Sequence, residues 1–336
     1  MTPLILGFLF GAILQSARLN RFDTISGMAT LENYTVAKAI ALAIGVGAIL
    51  LNIEIGMGLA TYHIKPFLLG GIVLGGLIFG TGMAILGYCP GTVVISAGEG
   101  SLDAVVGILG GLAAGVGYTI LLPAIGSASG PNLGTFSLHT ALGNPAVFYP
   151  VMVVGGLVFI GIAFLVHRLE RSADKTWIFA GIGLALLNAV VSATAVADHP
   201  IGASTAFPYL ADALCGVTDN AYFKQITKPG HWELIFLAGA MLSGFVISLM
   251  RKEFKIRMIH ANWDRHKGNS WKKRAAWAFV GGFILIFGAR MAGGCTSGHV
   301  ISGGMQLAAS SLTFAVFVFV GLLVTGRYFY PLERVK

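Results

Sequence analysis

Two cysteines lie in settings built to interrupt a helix. One is in Gly87-Tyr88-Cys89-Pro90-Gly91-Thr92, the other in Gly293-Gly294-Cys295-Thr296-Ser297-Gly298-His299. Proline and glycine break the backbone ladder and leave amides without partners. In hydrocarbon such amides survive only where they line a cavity or meet a partner. The short apolar pieces that follow, 91–97 and 297–303, read as helices whose N-termini point back at the cysteine. A positive dipole end with free amides is an anion site. A thiol placed there gains reactivity. Its soft, weakly hydrated sulfur suits a sulfur-containing anion better than phosphate. A lone cysteine beside glycine is better explained as a small packed residue. Two of them at matching breaks point to function.

Arg290 falls one helical turn before Cys295, inside an apolar stretch. An arginine at that depth is costly and marks an ion path, unless a nearby carbonyl or acid absorbs it. His299 is either a hydrogen-bond donor on the path or a satisfied structural histidine. Gly91, Thr92, Thr296, Ser297 and Gly298 supply the amides and hydroxyls of the two breaks. Cys215 follows Tyr209-Leu-Ala-Asp, has no counterpart elsewhere and is expected to be incidental. Glu54, Glu99 and Asp103 are placed near interfaces without a chemical role.

These residues need a bilayer around them. Of 336 residues 56% are hydrophobic and 11% charged, with 47 glycines. A soluble domain carries about 25% charged residues, while lipid-embedded helices use small residues for close approach. Apolar runs of bilayer length fall at 4–17, 36–52, 67–88, 103–122, 146–167, 176–197, 232–250, 275–294 and 306–326. The expected fold is therefore an all-α polytopic membrane protein. It has about nine transmembrane helices plus short re-entrant helices.

The net charge of +8 does not indicate nucleic acid, because the basic residues sit between apolar spans. Arg251 to Arg274 holds nine lysines and arginines. Arg168, Arg171 and Lys175 mark a second basic loop, Arg18 and Arg21 a third, and Arg327, Arg334 and Lys336 the C-terminus. Segment 123–145 has no charge, and 198–231 has more acids than lysines. By the positive-inside rule the basic loops face the cytoplasm. The N-terminus is then outside, the C-terminus inside, and the membrane the bacterial inner one.

The two halves resemble each other. Shifted by 206 positions, Cys89 falls on Cys295 and Gly75, Gly76, Gly82 and Gly87 fall on Gly281, Gly282, Gly288 and Gly293. Val94, Ile95, Ser96 and Gly98 fall on Val300, Ile301, Ser302 and Gly304. The orientation rule makes the copies inverted. The expected division is a first repeat over 1–145, a connecting span and loop over 146–175, and a second repeat over 176–336. Inverted repeats with broken helices meeting at mid-membrane are a transporter signature. No metal or cofactor is implied.

The runs Gly80-Thr-Gly-Met-Ala-Ile-Leu-Gly-Tyr-Cys-Pro-Gly-Thr and Phe287-Gly-Ala-Arg-Met-Ala-Gly-Gly-Cys-Thr-Ser-Gly-His resemble the YeeE/YedE family of sulfur-transport membrane proteins. The opening Gly7-Phe-Leu-Phe-Gly with Leu14-Gln15 is similar too. The resemblance implies thiosulfate uptake, with Cys89 and Cys295 passing the anion along by weak S–H hydrogen bonds. It also implies a cytoplasmic TusA-like sulfur-carrier partner. Thiosulfate-transporting members carry a third central cysteine where this chain has Asn20, and the run Arg18-Leu-Asn-Arg-Phe-Asp resembles a branch linked to selenium compounds. Three alternatives therefore stand beside thiosulfate transport. They are a selenium-compound transporter, a membrane sulfurtransferase forming a persulfide on Cys89 or Cys295, and a purely structural subunit.

Overall fold

The computed structural model describes residues 1–330. Arg334 and Lys336, expected to face the cytoplasm, lie outside the described residues. The first part of the chain forms α1 (Thr2–Ser16), α2 (Phe22–Ala29), α3 (Thr35–Gly56), α4 (Leu69–Leu86), α5 (Pro90–Gly98) and α6 (Leu102–Ile125). A short α7 (Leu138–Leu142) and the long α8 (Pro145–Glu170) follow. Then come α9 (Thr176–Ser192), α10 (Ala206–Cys215), α11 (Ala221–Met250), α12 (Ala261–Lys267) and α13 (Trp271–Met291). A π-helix over Thr296–Gly303 and α14 (Ala309–Phe329) complete the described chain.

Seven helical stretches among the described residues are long and apolar enough to cross a bilayer. They are α3, α4 with α5, α6 with the turn after it, α8, α11, α13 and α14. The expected spans 4–17 and 176–197 fall on α1 and α9, of 15 and 17 residues. At 1.5 Å per residue those reach about 22 and about 26 Å, short of a ~30 Å hydrocarbon core. The α11 helix begins at Ala221 rather than 232, capped by Asn220 Oδ1, which accepts from Phe223 N at 2.7 Å. Its first turns carry Lys224, Gln225 and Lys228, so hydropathy hides them although they are good helix formers. Amphipathic α2 and α10 also escape a hydropathy reading, being 8 and 10 residues long.

Helix partners are exchanged between the first and second parts of the chain. The α4 helix packs along α14 while α13 packs along α6, and α1 packs along α11 while α3 packs along α9. The glycines make these approaches close. A Cβ on Gly82 would overlap the backbone of Leu285, and one on Gly288 would overlap that of Phe79. Likewise a Cβ on Gly75 would lie 2.7 Å from Ala292 N, and one on Gly281 2.7 Å from Leu86 N. Each contact returns with both members moved by 206 positions, in opposite directions. The contacts therefore obey an approximate two-fold relation. The α8 helix stands outside this pattern, packing on α3 and α7.

Candidate functional site

Both breaks have the form the sequence indicates. Gly87 ends α4 at φ 78° and Gly293 follows α13 at φ 74°, a left-handed conformation that glycine adopts without a Cβ penalty. Cys89 is the N-cap of α5. Its Sγ accepts from Thr92 N at 3.4 Å and from Thr92 Oγ1 at 3.3 Å, and Cys89 N donates to Thr92 Oγ1 at 2.8 Å. The sulfur thus takes one of the first-turn amides, Pro90 has none, and Gly91 N has no partner among the described residues. Cys295 is the N-cap of the π-helix and makes no side-chain cap. Here Thr296, Ser297 and Gly298 all keep unpartnered amides among the described residues. A π-helical turn is rare and concentrates at functional sites.

The breaks meet. A cavity of about 50 Å³ is lined by Cys89 and Thr92 from one side and by Thr296 and Ser297 from the other. Phe10, Met83 and other apolar side chains close it. A Cβ on Gly91 would lie 3.5 Å from Ser297 Oγ and 3.1 Å from the Phe10 ring. Cys295 is 1% exposed and all three cysteines are free thiols. Cys215 is exposed at the end of α10.

Arg290 is buried and meets hydroxyls rather than an acid. Its Nε donates to Tyr222 at 2.8 Å, and its NH1 to Thr205 Oγ1 at 3.1 Å and Ser204 Oγ at 3.3 Å. Beside it is a cation that the sequence reading passed over. Lys65, in the connector before α4, donates from Nζ to Gly293 O at 2.6 Å. A Cβ on Gly298 would lie 3.2 Å from that ammonium, and one on Gly294 would overlap it. Neither Lys65 nor Arg290 has a carboxylate within 4 Å among the described residues. Buried Glu233 is spent on the start of α10, accepting from Thr205 N at 2.6 Å and Ala206 N at 3.3 Å.

His299 is fully buried with both ring nitrogens engaged. Its Nε2 faces Ala292 O at 2.8 Å and must donate; its Nδ1 then accepts from Ser311 at 3.0 Å. It ties the break to α14 instead of opening on the cavity. Asn20, also fully buried, donates from Nδ2 to Ser96 Oγ at 3.2 Å, and Ser96 donates to Asn20 O at 2.6 Å. Ser302, the residue 206 positions after Ser96, donates to Asn188 Oδ1 at 2.6 Å. Each short helix is therefore anchored through the same serine to an asparagine near the end of α1 or of α9.

The other break is covered by an ion pair. Arg274, at the start of α13, donates to Asp103 Oδ2 from Nε at 3.0 Å and NH2 at 2.6 Å. It also donates to the last carbonyls of α4, Ile85 O at 3.1 Å and Leu86 O at 2.6 Å. His260 and Tyr88 complete the network around Asp103. Asp103, given no chemical role from the sequence, lies in the first turn of α6, fully buried, and neutralises Arg274. Among the described residues Lys65 at the second break has no such ion-paired carboxylate.

The chain is 27% identical over 340 residues to the thiosulfate transporter TsuA of Spirochaeta thermophila, covering 95% of this chain and 96% of that protein. It is 22% identical over 324 residues to the thiosulfate transporter TsuA of Escherichia coli, covering 89% and 86%. The family model described as sulphur transport matches residues 17–324. Multi-pass, all-helical and matched by that model over most of its length, the chain belongs to the sulphur transport (YeeE/YedE) family.

Proposed function

We propose that this protein takes up thiosulfate across the bacterial inner membrane, handing it from Cys295 to Cys89 where the two broken helices meet. The cavity shared by Cys89, Thr92, Thr296 and Ser297 carries this reading. A dianion approaches a region where Lys65 and Arg290 supply positive charge without a paired carboxylate. In a low-dielectric site that attraction is strong. Free amides of the π-helix and the Cys295 thiol replace its water. Across the cavity the Gly91 amide and Cys89 offer the next set of donors. The named activity of the two TsuA relatives supports the substrate.

The inverted-repeat division, 1–145 and 176–336 around a 146–175 connector, is part of this proposal, and the reciprocal glycine contacts support it. So is the orientation with the N-terminus outside, which puts Lys65 on the entry side and Arg274 on the cytoplasmic side. A TusA-like carrier would accept the sulfur from the Arg274 side. The run Arg18-Leu-Asn-Arg-Phe-Asp, which resembles the branch linked to selenium compounds, keeps a selenium compound as the second substrate reading. Uptake of radiolabelled thiosulfate by cells lacking other sulfur importers tests the proposal. The protein should restore uptake, and the Cys89→Ala, Cys295→Ala double variant should abolish it. Wild-type protein that is expressed and inactive on thiosulfate but active on a selenium-labelled anion would replace the substrate. A persulfide on either cysteine, found by mass spectrometry, would support sulfurtransfer instead.

A further inference from the structure

Two cavities open sideways from this protein, and they are counterparts. The larger, about 380 Å³, lies between α3, α8 and α14 over the π-helix, with Val300 and Val318 in its walls. The smaller, about 210 Å³, lies between α6, α10 and α11 over α5, with Val94 and Leu112 in its walls. Val94 and Val300 are 206 positions apart, as are Leu112 and Val318. Each cavity therefore uses the same surface of one broken helix and of the helix that follows it. The smaller is lined entirely by apolar residues. In the larger, the polar side chains are Tyr34 and Lys38 at one end and Thr296. Lys38 is ion-paired to Glu170 there, which gives that end a polar edge.

The mouths continue the outer surface of the bundle. Ile162 and Phe319 at the larger one are 45% and 40% exposed, and Met241 at the smaller one is 45% exposed. In a multi-pass membrane protein that surface faces hydrocarbon, so the medium entering these cavities is the acyl region. Water is a poor occupant, because it needs two to four polar partners and these walls offer almost none. An empty cavity of this size loses the dispersion contacts of its whole lining.

The larger cavity also touches the central one. Ile40, Met83 and Thr296 line both. One layer of side chains separates the Cys89 cavity from the lateral opening, and Thr296 is the residue next to Cys295. We propose that a phospholipid acyl chain occupies each lateral cavity, and that the chain in the larger one forms the outer wall of the central path beside Thr296. The inference rests on the chain crossing a membrane and not on what it transports.

The test is photo-crosslinking in phosphatidylethanolamine–phosphatidylglycerol vesicles containing a phospholipid with a diazirine midway along one acyl chain. Ile44 and Val300 in the larger cavity, and Val94 and Leu237 in the smaller, are each under 9% exposed. Bulk lipid cannot reach them without entering. Adducts at these four positions are expected alongside those on exposed Leu157 and Phe245. Adducts confined to exposed positions would overturn the proposal, as would a crosslinked dimer covering the mouths. Ala163→Phe should fill the larger cavity and remove the Ile44 and Val300 adducts while leaving Val94 and Leu237 labelled. Undiminished labelling at Ile44 and Val300 in that variant would place the lipid elsewhere. The wild-type map decides the matter by itself if Ala163→Phe does not fold.

Discussion

Gly91 and Ser297 are each other's counterparts in the two halves, and they meet face to face. A Cβ on Gly91 would stand 3.5 Å from Ser297 Oγ, so the approximate two-fold relation passes between them. Ser297 lines the central cavity, and Gly91 stands against it. Gly91→Ala fits if the Phe10 ring, 3.1 Å from the new Cβ, yields by a few tenths of an ångström. Gly91→Val adds two methyl groups toward Ser297. Thiosulfate uptake should fall modestly in Gly91→Ala and by about tenfold or more in Gly91→Val, a barrier rise of at least ~1.4 kcal/mol. Normal uptake in Gly91→Val would place the path away from this contact.

Cys89→Ala and Cys295→Ala should each reduce uptake by about tenfold or more, the worth of one or two lost hydrogen bonds. Alanine occupies the small space with little loss of folded protein. Serine should rescue only in part, since its hydroxyl donates but is harder and more hydrated than a thiol. Cys215→Ala, at an exposed site, should behave as wild type. Full uptake in the Cys89→Ala, Cys295→Ala double variant would reduce both residues to packing.

Arg290 and Arg274 look alike in sequence and should behave oppositely. Arg274 pairs with Asp103, both side chains being fully buried. Removing one partner of such a pair costs about 3–5 kcal/mol, while replacing both with apolar residues is tolerated. Arg274→Met should lower the melting temperature in detergent, and Arg274→Met with Asp103→Leu should recover much of it. Arg290 is held by the hydroxyls of Tyr222, Thr205 and Ser204, so Arg290→Ala should lower uptake more than stability, and Arg290→Lys should be intermediate. A melting curve for Arg274→Met that overlays wild type, or normal uptake by Arg290→Ala, defeats the respective assignment.

Orientation is tested by reactivity. A cysteine introduced within 255–270 should react only with reagents supplied to the cytoplasmic face, and one within 128–140 only from outside. The reverse pattern would invert the membrane placement and exchange the roles of Lys65 and Arg274.

The spans and breaks were legible because they depend on local properties. Hydropathy marks α3, α4 and α14, and the Gly-Cys runs mark where two helices must stop. The gapless shift of 206 even anticipated which glycines serve as counterparts at the helix crossings. The polar residues around the site were not legible in the same way. Lys65 lies 230 positions before Cys295, and Ser204, Thr205 and Tyr222 sit in a loop and an amphipathic turn without apolar periodicity. Only the exchange of helix partners brings them to Arg290. Asn188 had a local clue, an amide near the end of an apolar helix, which costs several kcal/mol in hydrocarbon unless bonded. His299 shows the opposite case, a chemically capable residue whose two nitrogens are taken by Ala292 and Ser311.

Lys65 gives the sharpest test of how the anion enters. Its ammonium packs against Gly294 and Gly298 and donates to Gly293 O. Burial lowers its pKa from the usual lysine value, Cys295 and Glu233 push it back up, and Arg290 adds to the lowering. The charged form attracts the dianion, so uptake should hold at neutral pH and fall as rising pH removes the proton. That decline should begin at lower pH than an exposed lysine would give. Lys65→Arg keeps its charge to above pH ~12, so its decline should shift to higher pH and leave whatever the thiols contribute. Lys65→Ala should raise the thiosulfate KM by about tenfold, one ~1.4 kcal/mol charge interaction, with a smaller change in maximal rate. The measurement is initial-rate uptake from pH 6 to 10 at fixed ionic strength, since salt screens such attraction. If Lys65→Arg and wild type decline at the same pH and Lys65→Ala keeps its KM, Lys65 only latches the Gly293 carbonyl. Anion capture would then fall to Arg290 and the π-helix amides.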